Sequence, residues 1–119
     1  MSYAEQPPAI PQIHVDQLAD LIAAADPSLQ LIDVREPDEI AIAHVAGFTF
    51  LPLSQFAEWS GQVAKKLDPN ALTLVMCHHG MRSQQMCQWL ARQGFSNVKN
   101  VIGGIDAYSI AVDRTIPRY

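Results

Sequence analysis

The sequence is poor in cysteine, in positive charge and in long apolar runs, and each shortage removes a class of function. Only Cys77 and Cys87 occur among its 119 residues, with no C-x-x-C spacing. That pattern spells neither a structural zinc site nor a paired redox motif. A bridge between the two is also unfavourable, because a helix of that length spans about 15 Å and a disulfide tolerates roughly 7 Å between Cα atoms. Two free thiols in a reducing compartment are expected, with no metal and no cofactor. Eight Lys and Arg stand against twelve Asp and Glu, a formal charge of -4, and the basic residues are scattered. Nucleic-acid backbones are held by clustered cations, so no nucleic-acid partner is expected. No apolar stretch approaches the roughly 18 residues that span a bilayer. The opening "MSYAEQPPAIPQ" has no basic start followed by an apolar segment, so the expectation is a cytoplasmic protein without a membrane partner.

What is present is the balance of a folded chain, with 49% hydrophobic and 17% charged residues. This length closes around one core. Residues 1–12 carry three prolines and read as a loose lead-in, with a short strand near Ile10–Ile13, so that residues 13–119 form a single domain. Val15, Leu18, Leu21, Ile22 and Ala25 recur at helical spacing until Pro27. "LQLIDVRE" and "ALTLVMC" are short apolar runs of the kind that form buried parallel strands. Between them lie a helical turn at "PDEIAIAHVAG", a short strand at "FTFLP" and short helices in "LSQFAEWSGQVAKKL". "SQQMCQWLARQG" is a helix stopped by Gly94, "SNVKNVIGG" a last strand and "GIDAYSIAV" a last helix. Alternating strands and helices imply an α/β fold, a parallel sheet of about five strands with helices on both faces.

The chemistry concentrates where "ALTLVMC" runs into "HHGMRS". In open α/β sheets the carboxyl ends of strands meet helix N-termini, whose free N–H groups and dipole favour anions. A thiolate is an anion, and helix N-termini with nearby cations stabilise thiolates in general. Cys77 is therefore the candidate nucleophile. The amides of His78, His79, Gly80, Met81, Arg82 and Ser83 are candidates to line its cradle; Gly80 supplies backbone freedom, Arg82 a forked cation and Ser83 a helix cap. His78 and His79 could suggest metal ligands, but adjacent residues of a tight loop are expected to diverge. A cysteine closing a strand can also be plain core, yet a core position is not followed by five polar, small or flexible residues.

The stretch "CHHGMRS" after an apolar strand resembles the active-site loop of rhodanese-family sulfurtransferases. "LIDVREPDEIAIAHVAG" is similar to that family's D-V-R-x-x-x-E segment and following G-H-I-x-G-A, and "VIGGIDAY" to its late G-G-x-x-A-W. The resemblance implies a rhodanese-like fold and a sulfurtransferase carrying a persulfide on Cys77. It implies a small-molecule sulfur donor such as thiosulfate, and cyanide, a thiol or a sulfur carrier as acceptor. Related dual-specificity phosphatases have seven residues from cysteine to arginine, whereas Cys77 to Arg82 counts six, a ring better sized for sulfur than for phosphate. A phosphatase or arsenate reductase is the lesser enzyme alternative, and a sulfur-carrying or partner-binding module with little turnover is the other.

The resemblance further implies that Arg35 meets substrate or braces the loop, and that Asp33 and His44 support the loop structurally. Ala43, Phe48 and Tyr108 depart from the family pattern at positions that concern packing. Cys87 is expected to be an inert core thiol, and Trp59 and Trp89 to be core or rim aromatics. Gly103 and Gly104 are expected to permit a close approach of the last helix.

Overall fold

A computed structural model describes residues 7–119. Five parallel strands form one sheet in the order β1-β5-β4-β2-β3. They are β1 (Gln12–Ile13), β2 (Gln30–Asp33), β3 (Thr49–Phe50), β4 (Thr73–Met76) and β5 (Val98–Val101). The helices are α1 (Val15–Ala24), α2 (Pro37–Ile42), α3 (Phe56–Trp59), α4 (Val63–Lys66), α5 (Met81–Arg92) and α6 (Gly104–Ala111). The fold expected from the alternation of elements is the fold observed. Of the expected lead-in, residues 1–6 lie outside the described residues; Ile10 packs on the core, the Pro11 carbonyl accepts from Asn100 N–H at 3.0 Å, and β1 falls within the short strand expected near Ile10–Ile13.

Strand alternation divides the core into two layers. Leu74 and Met76 of β4 face one way and pack with Val15, Leu18, Val101, Ile105 and Tyr108, beneath α1 and α6. Val75 and Cys77 face the other way, with Ile32, Val34, Met86, Cys87 and Leu90, beneath α5. The parity of β4 thus aims Cys77 at the helix that follows it. β4 is central, and the chain leaves β2 for β3 on one side and β4 for β5 on the other. The crevice at the carboxyl ends of β2 and β4 is the switch point where such sheets collect function.

One end of this crevice is set by a buried ion pair. Asp33 closes β2 and Arg35 follows it, both 0% exposed. Arg35 Nη2 donates to Asp33 Oδ2 at 2.8 Å and to the Ala43 carbonyl at 2.8 Å. Its Nε reaches Asp33 Oδ1 at 3.0 Å, and its Nη1 donates to the Glu39 carbonyl at 3.3 Å and to Tyr119 Oη at 2.9 Å. The guanidinium is enclosed and engaged along its whole fork. The expectation that Arg35 meets substrate is corrected: the residue ties the end of β2 to both ends of α2. Asp33 is structural through this pair, and its side-chain hydrogen bonds go to Arg35 rather than to the cysteine loop that it was expected to support.

Asp33→Ala leaves that guanidinium buried without its counter-charge, a change that costs about 3–5 kcal/mol. The urea midpoint of this variant should fall accordingly, with the slope of the transition unchanged.

Candidate active site

The loop after β4 is clamped between two helix N-termini. α5 begins at Met81, two residues earlier than its sequence pattern indicated, because Gly80 at φ +105° turns the backbone in a conformation that residues with side chains avoid. On the opposite side, the first free amides of α6 reach into the loop. Ile105 N–H donates to the Cys77 carbonyl at 2.9 Å, and Asp106 N–H to the His78 carbonyl at 3.2 Å. In a trans peptide the C=O and the next N–H point in opposite directions. With both carbonyls turned towards α6, the amides of His78 and His79 are turned away from it. This approach requires Gly104, whose φ is +60° and where a Cβ would lie 2.4 Å from the carbonyl oxygens of both Cys77 and His78.

Cys77 is itself only 1% exposed and sits at the floor of a cavity of about 280 Å³ lined by Cys77, His78, His79, Met81 and Arg82. Its Sγ accepts the Gly80 N–H at 3.1 Å. Ser83 Oγ lies 3.3 Å from the same sulfur and 2.5 Å from Asn100 Oδ1. Ser83 was expected to cap α5, and this is corrected: it stands inside the helix, 0% exposed, and its hydroxyl serves the site instead. Asn100 also donates through Nδ2 to the Gly80 carbonyl at 3.0 Å and to Gln12 Oε1 at 2.9 Å.

Arg82 lies beside the cysteine, but its fork is already held. Nη1 and Nη2 meet the two oxygens of Glu39 at 2.6 and 2.9 Å. The guanidinium keeps the Glu39 carboxyl down at about 2, and Glu39 in turn raises Arg82. Tyr119 Oη donates to Glu39 at 2.8 Å, and its ring stacks on His78 at 3.9 Å and 8°. Burial pushes the Tyr119 phenol up to about 12. His78 stacks in turn on His79 at 3.8 Å and 28°, so the adjacent imidazoles do not diverge as expected. Burial, with His79 alongside, lowers the His78 pKa. Ligand atoms of His78, His79 and Asp106 fall within 4.8 Å of one another, and Arg118 Nε holds the Asp106 carboxylate at 2.8 Å.

Met81 is 79% exposed at the rim. His44 is corrected: it is exposed, lies edge-on to Phe50 at 6.3 Å, and borders a different cavity with Tyr108 and Ile116. It therefore does not support the cysteine loop. Cys87 is fully buried beneath α5, and burial pushes its thiol up to about 12. Phe56, Trp59 and Trp89 form an edge-to-face cluster with ring centroids 4.9–6.1 Å apart. Sequence reasoning missed Glu39, Asn100, Tyr119 and Gln12. Glu39 closes the quoted D-V-R-x-x-x-E stretch and carried a signal there, and Asn100 is a polar residue at a buried position of β5, between Lys99 and Val101. Tyr119 and Gln12 carried none.

The model of the Rhodanese-like domain family matches residues 14–111. The Arabidopsis thaliana protein named Rhodanese-like/PpiC domain-containing protein 12, chloroplastic, is 52% identical over 90 residues, covering 76% of this chain and 30% of that protein. A Bacillus subtilis protein named as a putative sulfur carrier, YrkF, is 31% identical, covering 86% of this chain and 52% of its own. The chain thus spans about a third and about half of these two relatives. Thiosulfate sulfurtransferase GlpE of Pseudomonas entomophila is 36% identical over 78 residues, 66% of this chain and 68% of that one. The crystal structure of a rhodanese-like domain protein from Staphylococcus aureus superposes with a TM-score of 0.74 at 22% identity, covering 92% of this chain and 99% of that chain, a likeness of fold. No helix among the described residues is long and apolar enough to cross a membrane.

Two tests follow from the clamp and the ion pair. Gly104→Ala places a side chain in left-handed backbone, which alone costs about 1–2 kcal/mol, and drives it into the loop carbonyls; a lowered thermal midpoint and a changed rate of Cys77 alkylation are both expected. Glu39 is ionised to a lower pH in the fold than in the unfolded chain, where its value is about 4.3. Its pair with Arg82 therefore adds stability above that value, and the gain fades as pH falls towards 2. The midpoint difference between wild type and Glu39→Gln should be present at pH 6 to 7 and shrink steadily below about 4.3.

Proposed function

Because this chain belongs to the family of rhodanese-like domains, we propose that it moves a sulfane sulfur from a donor such as thiosulfate to a nucleophilic acceptor through a persulfide on Cys77. The observation that carries the reading is a lone sulfur at the floor of a small cavity, met by the N–H of Gly80 at 3.1 Å. The Cys77 thiolate attacks the outer sulfur of thiosulfate; that S–S bond breaks and sulfite leaves with the bonding pair. The acceptor then attacks the terminal sulfur, and the thiolate returns as leaving group.

The loop's amides stabilise the sulfur anion in both states as preorganised donors, which need no reorganisation during the transfer, and the Ser83 hydroxyl stands 3.3 Å from the sulfur as a further donor. Arg82 contributes its positive charge near Cys77. Its fork, held by Glu39, is free to grip the donor's oxyanion only if that pair opens. The acceptor is cyanide in assay and a thiol or sulfur-carrier protein in a cytoplasmic setting, where two free thiols stay reduced. The relative named as a sulfur carrier supports a second reading, in which the domain holds and hands on sulfur with little turnover.

Thiocyanate formation from thiosulfate and cyanide tests the proposal. Wild type should produce it and Cys77→Ser should not, while thiosulfate alone should add one sulfur atom to the mass of the wild-type protein. Added mass without turnover would favour the carrier reading. An unchanged rate in Cys77→Ser, or no added sulfur at all, would sink both.

A further inference from the structure

The Ser83 hydroxyl has one hydrogen and two acceptors. Cys77 Sγ is at 3.3 Å and Asn100 Oδ1 at 2.5 Å. Which acceptor receives it is fixed by the chemistry of Asn100. The atom 3.0 Å from the Gly80 carbonyl must be the amide NH₂, because two carbonyl oxygens cannot bond to each other. The same NH₂ donates to Gln12 Oε1, whose own amide nitrogen donates to the Ile10 carbonyl at 3.0 Å and to Gln84 Oε1 at 2.8 Å. Asn100 Oδ1 therefore faces Ser83, and as a pure acceptor it takes the hydroxyl hydrogen. Asn100 is 3% exposed and Ser83 0%, so bulk solvent does not reach the competition.

Resting on the reading that Cys77 bears the sulfur, we propose that Asn100 is a positioning residue that holds the Ser83 hydroxyl hydrogen away from Cys77 until the sulfur becomes anionic. While the sulfur is a neutral thiol, its S–H faces the lone pairs of Ser83 Oγ, and the hydroxyl points to Asn100. When thiolate or persulfide forms, the hydroxyl turns to the anion, to which a hydrogen bond is stronger than to a neutral amide. No proton changes owner; a single torsion moves. Asn100 thereby sets how readily the sulfur ionises without touching it. The titratable and charged groups around Cys77 are His78 and His79 on the loop, Arg82 and Cys87 on α5, and Glu39 behind Arg82. Asp106 at the start of α6, Tyr119 on the tail and the Asp33–Arg35 pair at the end of β2 are the others at this end of the sheet, and none of the hydrogen bonds of Asn100 goes to any of these groups.

The pH profile of Cys77 alkylation by iodoacetamide, read by mass so that Cys87 is counted separately, tests this in a cycle of wild type, Asn100→Ala, Ser83→Ala and the double variant. Without Asn100 the hydroxyl gives up no partner when it turns to the anion, so the midpoint should move to lower pH by about half a unit or more, the size of the Ser83–Asn100 hydrogen bond that wild type must break. Ser83→Ala should move it to higher pH, and adding Asn100→Ala to that variant should then change nothing. Asn100→Leu, which keeps the volume, should repeat the result and replaces the alanine variant if that one does not fold. An unmoved or alkaline-shifted midpoint without Asn100 overturns the proposal. So does an equal shift in the Ser83→Ala background. A wild-type Cys77 that the reagent never modifies overturns instead the nucleophile reading on which the proposal rests.

Discussion

The close approach of α6 to the cysteine loop is the constraint on which the site depends. Two backbone hydrogen bonds, from the amides of Ile105 and Asp106, fix the carbonyls of Cys77 and His78. They form only because Gly104 has no side chain to separate the strands of backbone. Peptide planarity then does the rest: carbonyls committed to one side leave N–H groups on the other. The sulfur's environment is thus dictated by a residue that lies a helix and a strand further along the chain. A donor set built this way is rigid, and rigidity is what lets polar groups stabilise a charge without first reorganising.

Around that clamp the charged groups form a second tier. Asp33 and Arg35 pin β2 to α2, α2 presents Glu39, and Glu39 holds Arg82. Tyr119 bridges Arg35 and Glu39 and covers His78. Cation and anion alternate through this series, so the charge nearest the sulfur is positive yet balanced at short range. Close dipoles rather than net charge make the sulfur's surroundings.

Much of the fold was legible in the sequence because its signals are local. An apolar run closed by charge marked β2 and one closed by Cys77 marked β4, helical spacing marked α1 and α5, and the alternation of the two gave the parallel sheet. Cys77 and its loop were legible for the same reason, being contiguous. Arg35 and His44 were misplaced because a motif gives a residue's neighbourhood in sequence but not the direction of its side chain or the partners that arrive from elsewhere. Arg35 meets Tyr119 and Ala43, which nothing in "LIDVRE" announces. The role of Ser83 was misread because its spacing from the loop suits a cap, and only the arrival of β5 with Asn100 redirects its hydroxyl. His79 stacks on His78, and Tyr119 from the C-terminal tail stacks on His78 as well, a contact that the loop's own sequence does not announce.

The pairing of β1 with β5 has a practical meaning for where the domain is taken to begin. The family match starts at residue 14, just past Gln12 and Ile13, which form the outermost strand. Trimming to the matched boundary would retain every recognisable signature and still strip an edge from the sheet. It would also cut the outermost amide from a file that runs Gln12, Asn100, Ser83, sulfur. A shortened protein of that kind would carry an intact reactive loop beside an Asn100 whose amide nitrogen had lost one of its two partners.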